Sequence, residues 1–240
     1  MFNRKIDGLL ALILTSFILI LTLSPTKTFG SSHPIFLTKR ANVDEKLIAL
    51  TFDDGPDPRF TPKILSLLEK YDAKATFFVV GTNLESNPDL ARKIIENGNE
   101  IANHTYSHPY LEKLSAERTD FQIRACEDVI KQITGKSSLY FRPPRGRSNT
   151  KMIEVAKAHG METILWSICI EKHTCKTPTQ MANRIVDSAF PGMIILAHDG
   201  RLNRQRTVDS LPIILKELKQ KGYKFETLEE LLKAQKKSSK

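Results

Sequence analysis

Seven short apolar runs, each followed by a stretch with helical spacing, recur between Leu47 and Ala234. LIALTF (47–52), ATFFVV (75–80), EIANH (100–104), LYFR (139–142), TILWSI (163–168), MIILAH (193–198) and KFETL (224–228) read as strands. Helices are expected over about 61–71, 87–97, 115–134, 150–159, 179–189 and 208–221, and in the closing LEELLKA. Thr61-Pro62 and Asn87-Pro88 supply helix starts, because proline tolerates the first turn. Leu114, Phe121, Ala125, Val129 and Ile133 keep a helical stripe through the longest helix. Strict alternation predicts a parallel sheet joined by right-handed crossovers.

The unusual polar residues decide between an open and a closed sheet. Asp53-Asp54, His104, Arg142 and His198 all fall just past strand ends. In a barrel those ends converge on one rim, whereas an open sheet would spread them along an edge. The expected fold is therefore α/β, a distorted (β/α)7 barrel of TIM-like form, as one catalytic domain over residues 44–235.

Outside that domain the chain reads differently. Arg4 and Lys5 precede an uncharged, Leu- and Ile-rich stretch from Gly8 to Thr26, and Thr28-Phe29-Gly30 offers small residues for a signal-peptidase cut. Residues 1–30 are expected to be a cleaved signal peptide or an uncleaved N-terminal membrane anchor. Either places the remainder outside the cytoplasm, secreted or held at the outer face of the membrane. A linker is expected over 31–43 and a basic tail over 236–240.

Residues 31–240 keep 33 of the 36 Lys and Arg and 26 of the 27 acidic residues, a net charge of +7. With export, that excess fits an anionic wall polymer or lipid surface, or plain solubility, and no nucleic-acid motif accompanies it. Three cysteines are too few for a disulfide framework. Cys169 and Cys175 lie close enough in sequence to pair, and the absence of CxxC gives a thiolate metal site little support.

Three segments carry chemistry. TFDDGP (51–56) sets two carboxylates side by side at a strand end, a costly pairing unless a cation or proton offsets it. HTYSH (104–108) separates two imidazoles by four residues, a spacing that a helical turn or tight loop can close around one ion. Together they offer one Asp and two His ligands and leave coordination positions open for water and substrate, the pattern of a catalytic site. His198, after the apolar MIILA, is a candidate general acid. Arg142 could pair with Asp53, with Pro143-Pro144 stiffening the loop behind it.

TFDDGP, HTYSH, RPP-x-G and L-x-H-D, in this order, resemble the polysaccharide deacetylase family (the NodB homology domain, carbohydrate esterase family 4) over about residues 44–235. The resemblance implies that Asp54, His104 and His108 bind a divalent metal, commonly Zn2+. It makes Asp53 the general base, Arg142 its orienting partner and His198 the acid that protonates the departing amine. A backbone N–H near Arg145 would serve the oxyanion, and Leu196 would line the acetyl pocket. The implied substrate is an acetylated cell-wall glycan, peptidoglycan ahead of chitin-like oligosaccharide or xylan, acted on by a monomer. The alternative is a non-catalytic glycan-binding protein on the same fold.

Two departures from the family stand out. Arg145 replaces the frequent Tyr of the RPPY motif. The resulting RPPRG resembles the branch acting on N-acetylmuramic acid, whose lactyl carboxylate an arginine could bind. Where many members read W-S-x-D-x-x-D-W, this chain has Trp166-Ser167-Ile168-Cys169-Ile170-Glu171-Lys172-His173. Trp166 stays a substrate-binding candidate, while both aspartates and the second tryptophan are gone. The Asp that tunes the catalytic histidine is thereby lost, and Glu171 or His173 is left to substitute.

Overall fold

The computed structural model describes residues 37–238, and the expected leader lies outside them. Among the described residues no helix is long and apolar enough to cross a membrane. The elements in chain order are β1 (Leu37–Thr38), β2 (Leu47–Asp53), α1 (Thr61–Lys70), β3 (Thr76–Val79), α2 (Gly81–Ser86), α3 (Pro88–Glu96) and β4 (Glu100–Asn103). Then follow α4 (Ala116–Thr134), β5 (Tyr140–Phe141), α5 (Thr150–Ala158), β6 (Glu162–Ile164), β7 (Ile168–Cys169), α6 (Pro178–Asp187), β8 (Met193–His198), α7 (Gln205–Gln220), β9 (Lys224–Glu226) and α8 (Leu228–Ser238).

Every strand-to-strand pairing is parallel. β2 is central: it pairs with β8 over Ile48–Asp53, with β3 over Thr51–Asp53 and with β9 over Leu47–Ala49. From β3 the sheet continues through β4, β5 and β6. The expected fifth strand, 163–168, is divided. Its first half, β6, pairs with β5, and its second half, β7, pairs with β8. The chain thus passes through residues 165–167 from one side of the strand order to the other, and the sheet curls back on itself.

The expected linker, 31–43, needs correction. From Leu37 onward it belongs to the fold: β1 adds to β6, Arg40 bridges to Met193, the Ala41 N–H donates to the Gly192 carbonyl at 2.8 Å, and Ala41 and Val43 are buried. Polar composition hid a strand too short to show alternation. At the other end, α8 runs to Ser238, into the expected tail.

Strand parity sorts side chains into two layers. Ile48, Leu50, Phe52, Phe77, Val79, Ile195 and Ala197 pack outward with the helices. Leu47, Ala49, Phe78, Ala102, Tyr140, Ile164 and Ile194 face inward, where Leu228, Leu231 and Leu232 of α8 close one end. Continuing the inward parity up each strand reaches Asp53, His104, Arg142, Trp166, Leu196 and His198 at the other end. The same alternation that fills the core therefore delivers the functional side chains to one rim.

At the α8 end, Glu100 shares this inward face. Its Oε2 accepts from Thr76 Oγ1 at 2.7 Å and from the Glu229 N–H at 3.3 Å, in the first turn of α8. Burial pushes its carboxyl up to about 7, against these hydrogen bonds, with the Glu229 charge adding to the rise. A folded pKa above the ordinary 4.5 means that stability is full below about 4.5 and is lost as pH rises through about 7. Urea unfolding of the described domain should show this decline, and Glu100→Gln should flatten it; an unchanged pH slope in the variant would refute the assignment.

Candidate active site

The rim begins with an arginine inside the sheet. Arg142 is fully buried, and its guanidinium lies 3.9 Å from the Phe78 ring centroid. Nη1 donates to Asp53 Oδ1 at 2.6 Å and to Thr51 Oγ1 at 2.8 Å, while Nε and Nη2 donate to the Ile164 and Leu165 carbonyls at 3.2 and 3.0 Å. Burial lowers the Arg142 pKa and the Asp53 charge opposes this. The backbone carbonyl of Arg142 accepts from His104 Nδ1 at 2.7 Å. That bond places the ring proton on Nδ1 and leaves the Nε2 lone pair facing the carboxylates.

His104 Nε2 lies 3.7 Å from both Asp53 Oδ2 and Asp54 Oδ1, and His108 Nε2 lies 3.1 Å from Asp54 Oδ1. HTYSH closes through a loop rather than a helix: Thr105 N–H donates to Asn103 Oδ1 at 2.9 Å, and His108 N–H to Thr105 Oγ1 at 3.1 Å. Asp54, Thr105, His108, Arg145 and Arg201 all have positive φ, between 54° and 76°. Such backbone is disfavoured for residues other than glycine, and its concentration at one rim marks a geometry imposed by the surrounding fold. Gly55 is needed for a different reason. A Cβ there would fall 2.2 Å from Asp199 Oδ2, and Asp199 is itself buried and accepts from Thr61 Oγ1 at 2.6 Å.

The ligand atoms of Asp54, His104 and His108 lie within 4.8 Å of one another. Asp54 Oδ1 is buried without a hydrogen bond of normal geometry, with His108 Nε2 3.1 Å away. Burial would raise the Asp54 pKa, but His108, His104 and His198 outweigh it and hold the carboxyl at about 2. An ionised carboxylate with one orphaned oxygen beside two imidazole nitrogens fits a divalent cation.

His198 stands in register with Asp53 across β2 and β8. Its Nδ1 lies 3.2 Å from Glu171 Oε2, while Glu171 Oε1 accepts from the His198 N–H at 3.0 Å and from Thr207 Oγ1 at 2.7 Å. Of the two residues expected to substitute for the missing aspartates, Glu171 is the one in contact with His198, and His173 is exposed. Burial alone would lower the His198 pKa; the hydrogen bond and charge of Glu171 raise it overall.

The remaining expected residues frame this centre. Leu196 is buried in β8, paired with Thr51 and with Cys169. Trp166 packs so closely on Gly146 that a Cβ there would fall 2.5 Å from Trp166 Cη2. Arg145 lies outside the ligand cluster, 3.7 Å over the Tyr110 ring and donating to the Pro109 carbonyl at 3.1 Å. Cys126, Cys169 and Cys175 are free thiols. Sequence reasoning missed Arg201, which contacts His108 Nδ1, and Arg204, whose Nη2 is 3.5 Å from Asp54 Oδ2. Both lie in the turn after His198, where no spacing rule points to them.

The family model described as polysaccharide deacetylase matches residues 40–164. A peptidoglycan-N-acetylglucosamine deacetylase of Bacillus cereus is 40% identical over 200 residues, covering 82% of this chain and 93% of that protein. The peptidoglycan-N-acetylmuramic acid deacetylase PdaC of Bacillus subtilis is 36% identical over 199 residues, covering 82% of this chain and 41% of that protein. The solved structure of the Bc1960 peptidoglycan N-acetylglucosamine deacetylase with 4-naphthalen-1-yl-N-oxidanyl-benzamide superposes with a TM-score of 0.79 at 33% identity, covering 82% of this chain and 92% of that one.

Removing the guanidinium strands a buried carboxylate, a loss of about 3–5 kcal/mol for pairs of this kind. Arg142→Met should lower the unfolding free energy by that order, and Asp53→Asn combined with it should recover part of the loss. Additive losses in this double-mutant cycle would show that the pair is not coupled.

Proposed function

The chain belongs to the polysaccharide deacetylase family, and from that membership and the rim geometry we propose that it hydrolyses acetamide groups of peptidoglycan amino sugars, releasing acetate and a free amine. The observation that carries this reading is the Asp53 carboxylate, fixed by Arg142 at 2.6 Å, beside the orphaned Oδ1 of Asp54 and the two imidazoles. Asp54, His104 and His108 would hold a divalent cation, with Zn2+ favoured by two nitrogen donors and one oxygen. When bound, such an ion polarises the amide carbonyl and acidifies water.

The remaining steps fall to the chain itself. Asp53 accepts the proton of the attacking water, and its bond to Arg142 keeps one carboxylate oxygen occupied while the other lies 3.7 Å from His104 Nε2. A backbone N–H near Arg145 donates to the developing oxyanion. His198, held at Nδ1 by Glu171, presents Nε2 to the leaving nitrogen and protonates it as the C–N bond breaks. Leu196 and Trp166 supply apolar surface for the acetyl methyl and the sugar face. At the outer edge Arg145, braced on Tyr110, would bind the lactyl carboxylate of N-acetylmuramic acid. With residues 1–30 serving as a signal peptide or anchor, the domain would work outside the cytoplasm.

Acetate release from peptidoglycan should require a divalent cation, stop with chelator and fall by at least about a hundredfold in Asp53→Asn, in the range of general-base contributions. Release that survives both treatments would sink the reading. Mass spectrometry of the treated muropeptides identifies the sugar, and Arg145→Ala should raise KM for muramic-acid substrates more than for glucosamine ones. The pH profile tests Glu171 separately. His198 must be protonated to act, and Glu171 raises its pKa. Glu171→Gln should therefore move the alkaline limb of kcat/KM to lower pH; an unmoved limb would remove Glu171 from the mechanism.

A further inference from the structure

We propose that Cys169, Glu171 and His198 form a second cation site, for a thiophilic divalent ion such as Zn2+ or Cd2+, whose filling withdraws His198 from proton transfer. Cys169 Sγ, a Glu171 carboxylate oxygen and a His198 ring nitrogen lie within 4.8 Å of one another. Glu171 Oε2 is 3.2 Å from His198 Nδ1 and 3.4 Å from Cys169 Sγ. Tetrahedral coordination with bonds of about 2.0–2.3 Å separates ligand atoms by roughly 3.3–3.7 Å, so little movement is needed. Glu171 is already braced through Oε1 by Thr207 and by the His198 N–H, which is the outer support such ligands require. A cavity of about 250 Å³ borders Glu171, His173, Cys175 and Arg204, and Cys169 and His198 are themselves only partly buried.

The donor set follows from the chain's own departure from its family. Cys169 stands where many members carry the first aspartate of the fifth-strand motif, while the carboxylate has moved to Glu171. A soft donor therefore sits beside the catalytic histidine's partner. The ion must displace the thiol proton to take Sγ as a ligand, which selects for thiophilic metals. Binding exchanges the Sγ–H bond for an Sγ–cation bond and releases that proton to water, and the imidazolium loses to water the Nδ1 proton that it had donated to Glu171. The His198 Nδ1 lone pair goes to the cation, leaving the ring's single proton on Nε2. That proton cannot be passed on without forming an imidazolate. This inhibitory consequence rests on His198 being the proton donor; the binding itself does not.

Cd2+ titration of the full exported domain, followed by thiolate-to-metal charge-transfer absorbance and by metal content after gel filtration, reads the site without turnover. The unsubstituted protein should bind two equivalents, with the charge-transfer band accompanying one of them. Cys169→Ser should lose the band and one equivalent, Glu171→Gln should weaken that equivalent at least tenfold, and Cys175→Ser should keep both. Asp54→Asn should lose the other equivalent and keep the band. A band that persists in Cys169→Ser, or no band in the unsubstituted protein, overturns the proposal; a single equivalent that carries the band would count against the Asp54 site instead. Deacetylation that continues while the band-bearing site is filled would instead overturn the catalytic role of His198.

Discussion

A guanidinium enclosed within a β-sheet is the constraint from which the rest of this structure can be derived. An arginine has five N–H donors and cannot shed its charge, so burying Arg142 obliges the fold to supply acceptors on several sides. Asp53 and Thr51 provide them from β2, and the carbonyls of Ile164 and Leu165 provide them from the end of β6. Those carbonyls are available because the sheet parts there. The stretch that would form one continuous strand divides into β6 and β7, and Arg142 takes up backbone groups that the division releases. The ion pair and the irregularity in the sheet are thus mutually dependent.

The same pair fixes the chemistry. Its charge balance leaves Asp54 as the carboxylate whose oxygen lacks a partner, although both aspartates come from one dipeptide. Strand parity would send Asp54 to the face opposite Asp53; left-handed backbone at Asp54 breaks that parity, and its carboxylate reaches the same rim. Adjacent carboxylates consequently face different partners, one an arginine and the other two imidazoles. Separate roles for neighbouring acids follow from the backbone geometry at a single residue.

Much of this was legible in the sequence because two periodicities carried it. Alternation within strands and alternation of strands with helices gave the parallel architecture and the rim on which Asp53, His104, Arg142 and His198 meet. The boundaries that failed lie where periodicity has nothing to act on. β1 is two residues long, and the separation of β6 from β7 depends on a side chain from a different unit. Glu171 was legible as one of two substitutes, but choosing it over His173 needed the Thr207 hydroxyl and the His198 N–H, both donated from elsewhere in the fold. Arg201 and Arg204 carried no signal, since arginines in a turn of a basic chain are ordinary.

Cys169 and Glu171 stand two residues apart in sequence and meet again in space beside His198. Moving the acid two residues along, from 169 to 171, carries it past the end of β7. There the chain no longer follows strand parity, so the longer Glu side chain can return to His198 from a different direction. The vacated position remains in register with Leu196, against the inward face. Whatever occupies it must tolerate partial burial beside a carboxylate, and a neutral thiol meets that condition where a second acid would add repulsion. A carboxylate retained at both positions would set two negative charges against one imidazole and raise its pKa further. The cysteine therefore leaves Glu171 as the single carboxylate in contact with His198 among the described residues.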